Sequence, residues 1–165
     1  MINYYKYTTK NGLKVTYVYK PEFNKCYAGI GVKYGGCNLS YTVDGIEYND
    51  HPGLAHFLEH KMFEQRNGTN SLDTLSALGV DANAYTTNNH TAYLFECTEN
   101  FYPALDELMD YVQNPYFTDE NVEKEKGIIE QEINMYKDNA FFKMYDGILY
   151  NSFSKHPIKY PIAGT

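Results

Sequence analysis

The chain of 165 residues is long enough for one domain with a sizeable core, and its 43% hydrophobic content is that of a globular rather than a disordered protein. Its net charge of −7, from 21 acidic and 14 basic residues, argues against a nucleic-acid footprint and suits neutral or basic peptides in a cleft. No apolar run reaches the roughly 18 residues that a membrane helix needs.

Residues 4–9 and Lys14 to Tyr19 read as two strands joined at Asn11-Gly12, a strong hairpin signal. Tyr27 to Tyr34 reads as a third strand, ended by Gly35-Gly36. The polar, turn-rich stretch 37–50 reads as an irregular loop. A helix is predicted from about Asp50-His51-Pro52, where an acidic cap and an early proline are both favourable. It runs to about Glu64, and Gln65-Arg66-Asn67-Gly68 stops it. Leu72, Leu75 and Leu78 give Ser71 to Leu78 helical spacing, closed by Gly79. Ala82 to Thr87 and Thr91 to Cys97 form a predicted hairpin across Asn88-Asn89. Pro103 to Gln113 carries Leu105, Leu108, Met109 and Val112 on one face, an amphipathic helix that Asn114-Pro115 breaks. Thr118 caps the longest helix, with Asp119 and Glu120 in its first turn, where the dipole favours them. That helix extends to about Lys137, and a short one follows at Phe141 to Tyr150. The order of elements predicts an α+β fold with a largely antiparallel sheet.

Cys26, Cys37 and Cys97 lack metal-type spacing, and an odd, sparse count suits a reducing compartment. The stretch Met1-Ile2-Asn3-Tyr4-Tyr5-Lys6 has no apolar h-region, which predicts a cytoplasmic protein.

The chemistry is concentrated in His56-Phe57-Leu58-Glu59-His60. On a helix, positions i and i+4 lie about 40° apart around the axis and one turn along it, so both imidazoles can face one metal ion. Glu59 is offset by one residue, so its carboxylate reaches a water at the metal rather than the metal itself. H-x-x-E-H is the inverted zinc-hydrolase signature. An accidental match arises in roughly one such chain per hundred, and the requirement for helical phase lowers that further. A catalytic zinc needs a third protein ligand and leaves a fourth position open. The long helix offers Glu123, Glu125, Glu130 and Glu132; periodicity does not choose among them. His51, His90 and His156 read as surface or structural residues, and Cys97 as a small buried one.

The block Gly53-Leu54-Ala55-His56-Phe57-Leu58-Glu59-His60-Lys61-Met62-Phe63 resembles the pitrilysin/insulinase family of zinc metallopeptidases, which includes the mitochondrial processing peptidases. Asn83-Ala84-Tyr85-Thr86 is similar to that family's N-A-x-T edge strand. Glu123 through Glu132 resembles its second glutamate helix, and His156-Pro157 through Pro161-Ile162-Ala163-Gly164-Thr165 its H-P-x-x-x-P-I-x-G-T segment. The resemblance covers nearly the whole chain and is strongest to small bacterial processing-peptidase-like members.

The resemblance implies His56, His60 and Glu132 as ligands of one zinc ion, Glu59 as the catalytic base, and Glu125 as a glutamate supporting the metal site from behind. Asn83 and Ala84 fall on the strand that holds substrate in extended form. The implied fold is a half-domain whose sheet is covered on one side by helices, with residues 1–165 as the truncated N-terminal metal-binding half of a longer protein. The partners implied are a peptide substrate and a missing C-terminal half or a homologous partner subunit. The reading is thus a zinc-dependent metallopeptidase acting on extended peptides, with the fragment alone weakly active or inactive. One rival is a non-catalytic partner or peptide-binding subunit of the same family. Another is a metal-dependent lyase of the same fold with a cysteine as third ligand, for which Cys97 is the only downstream candidate.

Overall fold

Short turns and alternating side chains build the β part of the chain. In the computed structural model, which describes residues 3–165, β1 (Tyr4–Thr8) pairs antiparallel with β2 (Lys14–Val18). Next come β3 (Cys26–Val32) and a second hairpin, β4 (Ser40–Val43) with β5 (Ile46–Asn49). That hairpin occupies the stretch expected to be an irregular loop. Its turn is Asp44-Gly45, both at positive φ (51° and 80°), the primed geometry that matches the twist of the flanking strands.

The metal-motif helix α1 covers Leu54–Lys61 and the next helix, α2, Ser71–Ala77. Strands β6 (Asp81–Thr86) and β7 (Thr91–Cys97) form the expected hairpin, and β7 also pairs antiparallel with β3. The central sheet therefore has the order β3-β7-β6, with β6 at one edge. Helices α3 (Phe101–Gln113), α4 (Asp119–Asp138) and α5 (Ala140–Ser152) follow, then a short 3-10 turn at Pro157–Lys159. The expected antiparallel pairing and helical cover are both present, but the strands divide into three separate sheets.

Alternation decides which face of the central sheet is covered. Along β7, Thr91, Tyr93, Phe95 and Cys97 are all buried, and the residues between them are half-buried. Tyr93 and Phe95 stand opposite Ile30 and Ala28 on one side and Ala84 and Ala82 on the other. This face packs on Phe63, from the turn after α1, and on Leu75, Ala104, Leu108 and Tyr111 from α2 and α3, forming the main core. Burying a leucine such as Leu75 or Leu108 contributes about 2 kcal/mol or more through area removed from water. Cys97 lies inside this apolar cluster.

The start of α1 is built differently from the expected acidic cap. Asp50 accepts a hydrogen bond from the Tyr34 hydroxyl instead. The N-cap is Gly53, at φ 98° and without a side-chain cap. A Cβ there would come within 2.8 Å of Gly164 Cα and 2.9 Å of the Ala163 carbonyl oxygen. Residues 163–164 thus sit directly on the first turn of α1, and only glycine permits that approach. At its other end α1 stops at Lys61, earlier than expected. The Lys61 side chain is fully buried, with Nζ 2.6 Å from Glu64 Oε2, so its charge is neutralised within the fold.

Candidate metal centre

Helix α1 lies between the edge strand β6 and helix α4, so it can present its histidines to α4 and its glutamate to the strand. His56 Nε2 lies 3.6 Å from Glu132 Oε1, and His60 Nε2 lies 3.4 Å from Glu132 Oε2. One ligand atom from each of His56, His60 and Glu132 falls within 4.8 Å of the others. Of the four candidate glutamates Glu123, Glu125, Glu130 and Glu132 on α4, Glu132 alone joins the two histidines in such a cluster among the described residues.

Glu125, two turns earlier on α4, is buried and turned to the back of the same site. Its Oε1 is 3.0 Å from His60 Nδ1, which fixes the ring and leaves Nε2 facing Glu132. Tyr136, one turn beyond Glu132, donates its hydroxyl to Glu132 Oε1 at 2.7 Å. The shared proton and burial push the Tyr136 phenol up to about 12. Burial lowers the pKa of His56, partly opposed by the charge of Glu132. His56 is therefore held as neutral imidazole, the form that has a lone pair to offer.

These residues fit a zinc ion. Two imidazole nitrogens and one carboxylate oxygen make the three-ligand set of a catalytic zinc site with one position left open. The buried Nδ1 of His56 has no hydrogen-bond partner among the described residues. His60 has the outer carboxylate usual for a ligating histidine, and His56 does not.

Glu59 sits beside the cluster and is 8% exposed. Its Oε2 accepts a 2.6 Å hydrogen bond from the Thr86 hydroxyl. Burial raises the Glu59 pKa, with the Thr86 bond and His60 pulling it down. Two clefts meet at Glu59, His60 and Ala84. The larger, of about 420 Å³, carries an apolar wall from α5 and the 158–164 segment. The smaller, of about 360 Å³, runs past Asn83 to Glu64, Lys124 and Glu125. Asn83 and Ala84 thus border the smaller cleft on the open edge of the sheet. Asn83 itself points to an exposed position, with its Oδ1 bonded to the amide of Ala84.

A sequence profile described as Insulinase (Peptidase family M16) matches residues 14–165. The chain belongs to this peptidase family. Among its relatives in the family is an uncharacterized zinc protease of Bacillus subtilis, YmfH, 47% identical over 157 residues, which are 94% of this chain and 36% of that protein. An uncharacterized zinc protease of Rickettsia bellii is 32% identical over 160 residues, covering 94% of this chain and 37% of the relative. The crystal structure of an M16-like peptidase from Alicyclobacillus acidocaldarius superposes with a TM-score of 0.94 at 39% identity, over 99% of this chain and 38% of that one. A protease from Helicobacter pylori shares the fold, with a TM-score of 0.84 at 22% identity. The chain therefore spans a minor part of the length of these family members.

Of the other candidates from the sequence, His51 is exposed and outside the ligand cluster. His90 bonds to Thr87 and Asn89 at the β6–β7 turn, and His156 caps the 3-10 turn. Cys97 is buried in the main core and lies outside the ligand cluster, which speaks against the cysteine-ligand lyase reading. The roles of Thr86 and Tyr136 were not read from the sequence. Thr86 could have been found by counting two along the strand from Ala84 to the same face, and Tyr136 from its i+4 spacing to Glu132.

Proposed function

We propose that this chain is the metal-binding N-terminal part of a longer zinc metalloendopeptidase that hydrolyses peptide bonds in extended segments. In this reading His56, His60 and Glu132 hold the zinc, and Glu59 is the general base. The observation that carries it is the convergence of two imidazoles and one carboxylate beside a buried, separately held Glu59. The names of the bacterial relatives as zinc proteases support the choice of metal and of reaction.

Bound zinc would polarise the scissile carbonyl and make a neighbouring water more acidic. The protein's own residues do the rest. Glu125 keeps His60 in the tautomer that offers Nε2, and Tyr136 keeps the Glu132 carboxylate turned toward the histidines. Glu59 takes a proton from the attacking water and passes it to the departing amine, a task suited to a carboxylate whose pKa burial has raised. Substrate adds as a further strand along the open edge of β6, with Asn83 and Ala84 beside the scissile bond. Main-chain pairing of this kind requires an unfolded stretch of peptide. The opposite side of the grip is assigned to chain beyond these residues or to a homologous partner subunit.

The test is zinc-dependent cleavage of an internally quenched, flexible peptide by the full-length protein. Glu59→Gln should keep zinc while lowering turnover by at least about a hundredfold. Loss of zinc in that variant would make Glu59 a ligand. Stoichiometric zinc without any hydrolysis by wild type would favour the non-catalytic subunit.

A further inference from the structure

The hydroxyls around Glu59 form a chain whose proton directions are fixed by what each oxygen touches. Thr86 ends β6 on the same face as Ala84 and Ala82, and its partner across the hairpin is Thr91. Thr91 is buried, and its hydroxyl donates to the carbonyl oxygen of Tyr34 at 2.9 Å. A threonine hydroxyl has one proton, so Thr91 has none left for Thr86, whose Oγ1 is 3.3 Å away. The Thr86 proton goes to Glu59 Oε2 at 2.6 Å, the shorter and charge-assisted contact. Glu59 makes no other side-chain hydrogen bond among the described residues, so its Oε1 has no protein partner.

We infer that Thr86 is a positioning residue for Glu59: it holds Oε2 as an acceptor, so that Oε1 alone receives and returns the proton of the reaction. This rests on the hydrolytic role proposed for Glu59. In the first transfer an O–H bond of the attacking water breaks and the Oε1–H bond forms. In the second the Oε1–H bond breaks, an N–H bond forms on the departing nitrogen, and the scissile C–N bond breaks. Oε2 takes no part, because a proton placed there would make Thr86 give up its short charge-assisted bond and turn its own proton to the more distant Thr91 oxygen. Thr91, its own proton committed to Tyr34, offers Thr86 only a longer, uncharged acceptor at 3.3 Å, so the Thr86 proton stays directed at Glu59. The carboxylate is thereby held in one rotation on a short helix that has no other side-chain bond to it.

The experiment compares Thr86→Val, which keeps shape and strand propensity, with Thr86→Ser and Glu59→Gln in the full-length zinc-loaded protein. Thr86→Val should lower kcat by about ten- to a hundredfold, the usual cost of removing an outer hydrogen-bond partner in such sites. KM should stay within about twofold, because substrate binding is not touched. Zinc affinity, measured by chelator competition, should be unchanged, and Thr86→Ser should restore most of the turnover. A crystal structure of Thr86→Val should show the Glu59 carboxylate rotated or split between orientations. Should valine prevent folding, Thr86→Ala carries the same expectations. Near-normal kcat in the valine variant alongside an inactive Glu59→Gln overturns the inference while leaving the peptidase reading intact. So does zinc loss in step with activity, or a serine variant no better than valine. Absence of turnover in wild type overturns the peptidase reading instead. The orientation of Glu59 in the crystal then decides the positioning role alone, and an unmoved carboxylate refutes it.

Discussion

Gly53→Ala should destabilise the start of the metal helix far more than its chemistry suggests, and Gly68→Ala provides the internal control. Both glycines lie in the left-handed region, at φ 98° and 83°. Forcing an alanine there costs roughly 1–2 kcal/mol in either place. At Gly68 the new methyl meets nothing within 4 Å. At Gly53 it meets Gly164 Cα at 2.8 Å and the Ala163 oxygen at 2.9 Å, both backbone atoms that cannot swing aside. Overpacking of this kind adds about 1–3 kcal/mol. The expected losses are therefore about 2–5 kcal/mol for Gly53→Ala and about 1–2 kcal/mol for Gly68→Ala. In a longer protein a global melting curve would blur the difference, so the assay is hydrogen exchange of the α1 amides, which reads local opening. Zinc affinity should fall in Gly53→Ala and hold in Gly68→Ala, since only the former displaces the turn before His56. Equal effects in the two variants would show that residues 163–164 yield freely and do not fix the start of α1.

Glu125→Gln should weaken zinc binding by about ten- to a hundredfold without abolishing it, because an amide accepts the His60 proton less strongly than a carboxylate; chelator competition reads this directly, and unchanged affinity would refute the role. Leu108→Ala, in the middle of the core, should cost about 2–5 kcal/mol in urea unfolding of the domain while leaving zinc stoichiometry intact. The 165 residues alone should bind zinc but turn over peptides at least about tenfold more slowly per ion than the full-length protein, since catalysis needs substrate gripped from both sides. Equal turnover would show them to be self-sufficient.

Much of the fold was legible because local patterns and tertiary structure agree. The alternation of β7 and the leucine spacing of α2 and α3 are simple periods that the core rewards directly. The Asp44-Gly45 hairpin was also written in the sequence, but its short strands are exposed and carry no buried face to announce them. The start of α1 was misplaced for a different reason. Pro52 and Asp50 look like helix-starting residues, yet the position is set by a segment more than a hundred residues away, which no window along the chain includes. The same limit applies to the candidate site. Spacing alone put His56, Glu59 and His60 on one helix, but it left four glutamates of α4 equivalent, and only the family resemblance separated Glu132 from the others. Thr86 was invisible because its significance lies in a contact across 27 positions, and threonine is common in any strand.

The distance along the chain between the histidines and Glu132 has a mechanical consequence. Every residue of the main buried cluster, from Phe63 to Tyr111, lies between His60 and Glu132. An ion gripping both ends would therefore close a loop of about 70 residues that contains nearly all of the core, and a cross-link over that length removes roughly 4 kcal/mol of freedom from the unfolded chain. In that role zinc is a clasp as much as a reagent. Its loss would loosen the sheet as well as stop the chemistry, and a chelator would act on this protein as a mild denaturant.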